Sequence, residues 1–109
     1  MSTFTIKQGD TSPSIEAVLR SPNGDVVDLT GATVEFLMKS NDGVRLVEDS
    51  AVIDGPLDGV VVYEWSNTDT DEPGMNHAEW RVTFPDTTVE TFPNSGYIQV
   101  HIPPKIEVG

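Results

Sequence analysis

Cysteine is absent from the 109 residues. That excludes a disulfide framework and a thiolate metal site, so packing and backbone pairing alone must hold the fold. Basic residues are scarce. Six of them (Lys7, Arg20, Lys39, Arg45, Arg81 and Lys105), scattered along the chain, face eighteen acids and leave a formal net charge of -12. Phosphate contact needs a concentrated positive surface, so direct binding of nucleic acid or of an anionic membrane is not expected. The chain has no apolar run of the ~18 residues that span a bilayer, and Met1 to Lys7 holds no signal-peptide core. A soluble protein without its own secretion address is expected; if it works outside a cell, lysis or packaging into a particle would have to put it there. The acidity fits three roles: solubility with blunted strand edges, a basic neighbour in an assembly, or life in high salt.

What is present is punctuation. Nine glycines and eight prolines are spread from end to end and leave little room for a long helix. Between them run short apolar, β-branched segments. Phe4 to Lys7 alternates as a half-buried strand. Ile15, Ala17 and Leu19 share one side of a second, which the Asn23-Gly24 turn folds back into a short return over Val26 to Leu29. Val34, Phe36 and Met38 point one way from the strand Thr33 to Lys39. Asn41-Asp42-Gly43 turns the chain into Val44 to Val47, which leads through Glu48 to Ser50 into Ala51 to Ile53. Residues Asp54 to Gly59 read as an irregular loop.

Val60 to Trp65 is apolar on both faces and reads as a central strand. Ser66 to Gly74 is a polar loop with room for a helical turn at Thr70 to Glu72. Ala78, Trp80, Val82 and Phe84 then alternate with His77, Glu79, Arg81 and Thr83. Thr87 to Phe92 and Tyr97 to Ile102 complete the set. About seven to nine short strands at ~10-residue spacing predict an all-β, immunoglobulin-like antiparallel β-sandwich. It forms one domain over residues 1–102, with residues 103–109 as an extended Pro-rich tail. The expected core is Val34, Phe36, Val61, Tyr63, Ala78, Trp80, Val82, Phe84 and Ile98.

Reaction chemistry is thin. Asn67, Asp69 and Asp71 place oxygen ligands at alternate positions like the opening of a calcium loop. However, Glu72 stands where the loop needs glycine and Ala78 where it needs a bidentate carboxylate. A weak calcium site is the most these residues offer, and no cofactor is expected. His77 and His101 lie on separate strands without catalytic or zinc spacing. No serine sits in a nucleophile elbow, so an enzyme is not expected. Trp65 and Tyr97 form a candidate sugar platform, against their commoner use in a core or rim.

Several ordered segments carry a resemblance. They are Phe4-x-Ile6-x-x-Gly9-Asp10-Thr11-x-Pro13, then Gly24-x-x-Val27-Asp28-Leu29-Thr30-Gly31-Ala32-Thr33-Val34-x-Phe36, Gly59-x-Val61-x-Tyr63-x-Trp65, Ala78-Glu79-Trp80 and Thr91-Phe92-Pro93-Asn94-x-Gly96-Tyr97. Together they resemble the N-terminal domain of the phage baseplate upper protein (BppU-like) family over nearly the whole chain. In physical terms Gly9, Asp10, Asp28, Thr30 and Gly31 are turn residues: Asp or Thr oxygens hold backbone amides, and glycine takes the positive-φ position.

The resemblance implies a structural virion protein of a tailed virus, a tail or baseplate component. It would dock in multiple copies, as a ring or array, on other virion proteins of the tail, baseplate, neck or capsid. Phe4, Ile6, Pro103, Pro104 and Ile106 are the expected interaction residues, because extended termini can add to a partner's sheet. Deleting residues 102–109 is expected to leave a folded domain that no longer enters particles. The alternatives are a capsid-surface or neck protein and a host-glycan adhesion module.

Overall fold

Period-two alternation between breakers becomes eight strands in the computed structural model, which describes residues 3–106. They are β1 (Thr3–Thr5), β2 (Ile15–Val18), β3 (Thr33–Ser40), β4 (Arg45–Gly55), β5 (Val60–Tyr63), β6 (Gly74–Thr83), β7 (Val89–Phe92) and β8 (Ile98–Ile102). One layer runs β1-β8-β6-β3-β4, and the other runs β4-β5-β2. β4 serves both layers: residues up to Ala51 pair with β3, and those from Val52 onward pair with β5. β7 and β8 lie end to end along β6, opposite its second and first halves. The result is the expected all-β, immunoglobulin-like sandwich, with one departure. β1 and β8 pair in parallel, Thr3 opposite Gln99 and Thr5 opposite His101. No hairpin joins them, so no tight turn imposes the antiparallel direction.

The core is aromatic at its centre. Phe36 stacks on Tyr63 with ring centroids 4.8 Å apart, meets Trp80 at 4.9 Å and takes the edge of Trp65 at 5.5 Å. These rings come from both layers, so they clamp the layers together with packing beyond simple area burial. Val34, Val61, Ala78 and Val82 are buried around them as expected. Phe84 and Ile98 are only half-buried, because one lies past the end of β6 and the other opens β8. Much of the remaining core comes from residues next to turns: Ile6, Leu19, Leu29, Phe92 and Ile102.

Three local expectations change. Val26 to Leu29 forms no strand, only an isolated bridge from Val26 to Arg20. Leu29 instead turns inward, its N–H donating to the Pro56 carbonyl at 2.8 Å. The loop expected over Asp54 to Gly59 is ordered: Asp54 and Gly55 finish β4, and Pro56–Asp58 is a 3-10 turn that Pro56 can open without losing a hydrogen bond. In the polar loop the turn covers Asn67 to Thr70 rather than Thr70 to Glu72, because Asp69 folds back to hold its own start.

Candidate docking site at the chain ends

Both chain ends gather at one place. The β1–β8 ladder runs on past the strands, with the Ile6 N–H donating to His101 O and the Gln8 N–H to Pro103 O, both at 3.0 Å. The turn that follows has Gly9 at φ 80° and closes with the Asp10 N–H donating to Lys7 O. The Gly9 N–H donates to Thr70 O, and the buried Thr70 hydroxyl donates to Asp10 O at 2.9 Å. From the tail, the Lys105 N–H donates to the Gln8 side-chain oxygen and Lys105 Nζ meets Asp10 Oδ1 at 2.7 Å. The first turn, the polar loop and the tail are thus laced together. The Asp10 carboxylate holds Lys105 here, not the backbone amide expected of it.

The interaction residues divide. Phe4 is half-buried, its ring 5.9 Å from Trp65. Ile6 is 3% exposed and belongs to the core, which removes it from any docking surface. It faces inward because β1 obeys the same alternation as the larger strands. Pro103 is half-buried, Pro104 is exposed, and Ile106 is 81% exposed. β1 ends its layer, so among the described residues its outer edge is unpaired. Deletion from residue 102 now reads differently, since Ile102 is fully buried and pairs with Gly74. Such a cut removes core along with tail.

The second turn closes on its own side chains. Asp28 Oδ1 accepts from the Thr30 hydroxyl at 2.6 Å and from the Thr30 N–H at 2.9 Å, with Gly31 at φ 76°. Those bonds, the hydroxyl's first, hold the Asp28 carboxyl below its ordinary range. Asp86 and Thr88 repeat the arrangement at 2.6 and 3.0 Å. The Asp-x-Thr spacing was the available signal for that repeat. A Cβ on Gly31 would stand 3.0 Å from Pro85 Cγ, so a side chain there would press on the Pro85 ring of the neighbouring turn.

The calcium candidates are not an open ligand set. Asp69 is buried, and its Oδ2 accepts from the Tyr63 hydroxyl at 2.5 Å and from the Ser66 N–H at 2.9 Å. Asn67 and Asp71 stay exposed at the surface. Among the described residues no three of His, Cys, Asp or Glu come together to hold a metal ion. The sugar platform is also divided: Trp65 is 5% exposed and its Nε1–H donates to Pro13 O at 3.1 Å. Tyr97 alone is exposed, stacked on His77 at 5.0 Å with Lys39 Nζ 5.5 Å from its ring centre. On the outer face of the larger layer, Arg81 bridges Glu35 at 2.7 Å and Glu48 at 3.2 Å. That network, which the linear pattern did not reveal, joins β6, β3 and β4.

Comparison with known proteins places this arrangement. The model of the BppU N-terminal domain family matches residues 2–103, and the chain belongs to that family. It is therefore a structural domain of the phage baseplate and part of the virion. None of the curated proteins matches it. Among solved structures, CopC from Methylosinus trichosporium OB3b is similar, with a TM-score of 0.56 and 12% identity over 100% of this chain and 91% of that one. At that identity the likeness concerns the fold alone.

Proposed function

We propose that this BppU-family domain docks in multiple copies, as a ring or array, on neighbouring virion subunits through its chain ends. The unpaired edge of β1 carries the reading: backbone donors and acceptors there can extend a partner's sheet or receive a partner's strand. Pro104 and Ile106, in the tail that continues from β8, add exposed apolar surface anchored to Gln8 and Asp10 as far as Lys105. The role is scaffolding without chemistry of its own. Removing residues 106–109 spares Ile102 and every tail anchor through Lys105, so the shortened protein should melt as the full chain does and yet be missing from purified particles. Incorporation at the normal copy number would sink the proposal.

Tyr97 supports a second reading, host-glycan adhesion, because it leaves an aromatic face in solvent beside Lys39. Trp65→Ala is a poor test of it, since Trp65 is core. Glycan-array binding by the purified protein that disappears in Tyr97→Ala would favour adhesion, and silent arrays would remove it.

A further inference from the structure

The two layers differ on the sides they turn to water. The outer face of β6 carries His77, Glu79, Arg81 and Thr83, the polar dress of a sheet with one wet side. The outer face of the smaller layer does not. Register sets Val18 opposite Val60, and Val62 between Glu16 and Val52, all on the side away from the buried Val61 and Tyr63. Val18 is 46% and Val52 is 56% exposed. Four β-branched apolar side chains thus form one contiguous outward patch. The segment Val60-Val61-Val62 has the composition of a strand covered on both faces, and this domain covers one.

Charge selects the occupant. Glu16, Asp54 and Glu64 stand exposed around the patch against one nearby base, Arg20, whose Nη1 donates to Gly24 O, and among the described residues none of the three acids makes an ion pair. A second copy laid on this face would oppose carboxylate to carboxylate within a chain already at -12. We propose that the outer face of the β4-β5-β2 layer docks a different protein, one presenting an aliphatic patch rimmed by lysine and arginine. The inference deepens the baseplate reading and rests on it, adding a contact remote in the strand order from the β1 edge.

The test uses intact particles. A carbodiimide, which joins carboxylates to lysine amines without a spacer, should link Glu16, Asp54 or Glu64 to a lysine of another virion protein. Val18→Lys with Val52→Lys should leave the melting temperature within a few degrees and lower incorporation at least about tenfold. Val52→Leu should incorporate normally. Links from these carboxylates to another copy of this chain would overturn the choice of partner. Normal incorporation of the double-lysine variant, with the three carboxylates unlinked, would overturn the face while leaving the baseplate reading standing. Absence of the unsubstituted chain from the particles would overturn that reading and this inference with it.

Discussion

The Tyr63 hydroxyl donates to Asp69 Oδ2 across 2.5 Å, and both side chains are shut away from water. Burial first, then the bond to the Asp69 carboxylate, pushes the phenol above its ordinary pKa. This pair fixes the polar loop against β5. The loop in turn holds the first turn through Thr70.

Tyr63→Phe should therefore leave a buried carboxylate short of a donor and cost about 1–3 kcal/mol, read from the urea midpoint. With Asp69 engaged this way, neither a chelator nor millimolar calcium should move the melting temperature. A calcium-dependent rise would show that Asp69 serves a metal instead.

Gly59 is at φ 69°, and a Cβ there would sit 2.7 Å from the Leu19 carbonyl oxygen, 3.1 Å from Val27 O and 3.2 Å from Val27 N. The neighbours are backbone and cannot rotate aside. Gly59→Ala combines left-handed strain with overpacking and should cost at least about 2 kcal/mol. At Gly31 the neighbour is the side chain of Pro85, so Gly31→Ala should cost less in the same denaturation experiment.

Thr87 is a β-branched residue at φ 72°, held by the Thr87 N–H donating to Phe84 O at 2.8 Å. Asparagine tolerates that conformation better. Thr87→Asn should raise stability by about 0.5–1 kcal/mol, and a lower melting temperature would refute the strain argument.

Acid should weaken the fold through exposed carboxyls whose folded pKa values are depressed. Thr30 lowers Asp28 and Thr88 lowers Asp86, both from 3.8, while Arg81 and then Arg45 lower Glu48 from 4.5. Each is charged and stabilising above its unfolded value, and that contribution is lost as pH falls through the lower folded value. The urea midpoint should be flat above about pH 5 on this account and decline below about pH 4. Asp28→Asn, which keeps an oxygen acceptor but cannot titrate, should shallow that decline.

Much of the sandwich was legible because alternation is a local code: β3 and β6 bury Val34, Phe36, Trp80 and Val82 on the face their spacing assigns. The Asp28–Thr30 bonds of the next corner were equally local, since both run between residues two apart, whereas the Leu29 N–H of the same corner reaches the distant Pro56 carbonyl. Long-range partners were not. Nothing in the spacing says that β1 lies parallel to β8, that Asp10 reaches Lys105, or that Asp69 turns inward to Tyr63.

The amino-acid order by itself determined a cysteine-free, acidic, strand-rich domain and which side of β3 and β6 would be dry. The three-dimensional arrangement alone decided that Ile6 is core, that Trp65 is hidden while Tyr97 is not, and that Val18, Val52, Val60 and Val62 of the smaller layer face outward. The physical reason is that periodicity specifies two faces of a strand, whereas which face meets another layer depends on segments far away in the chain.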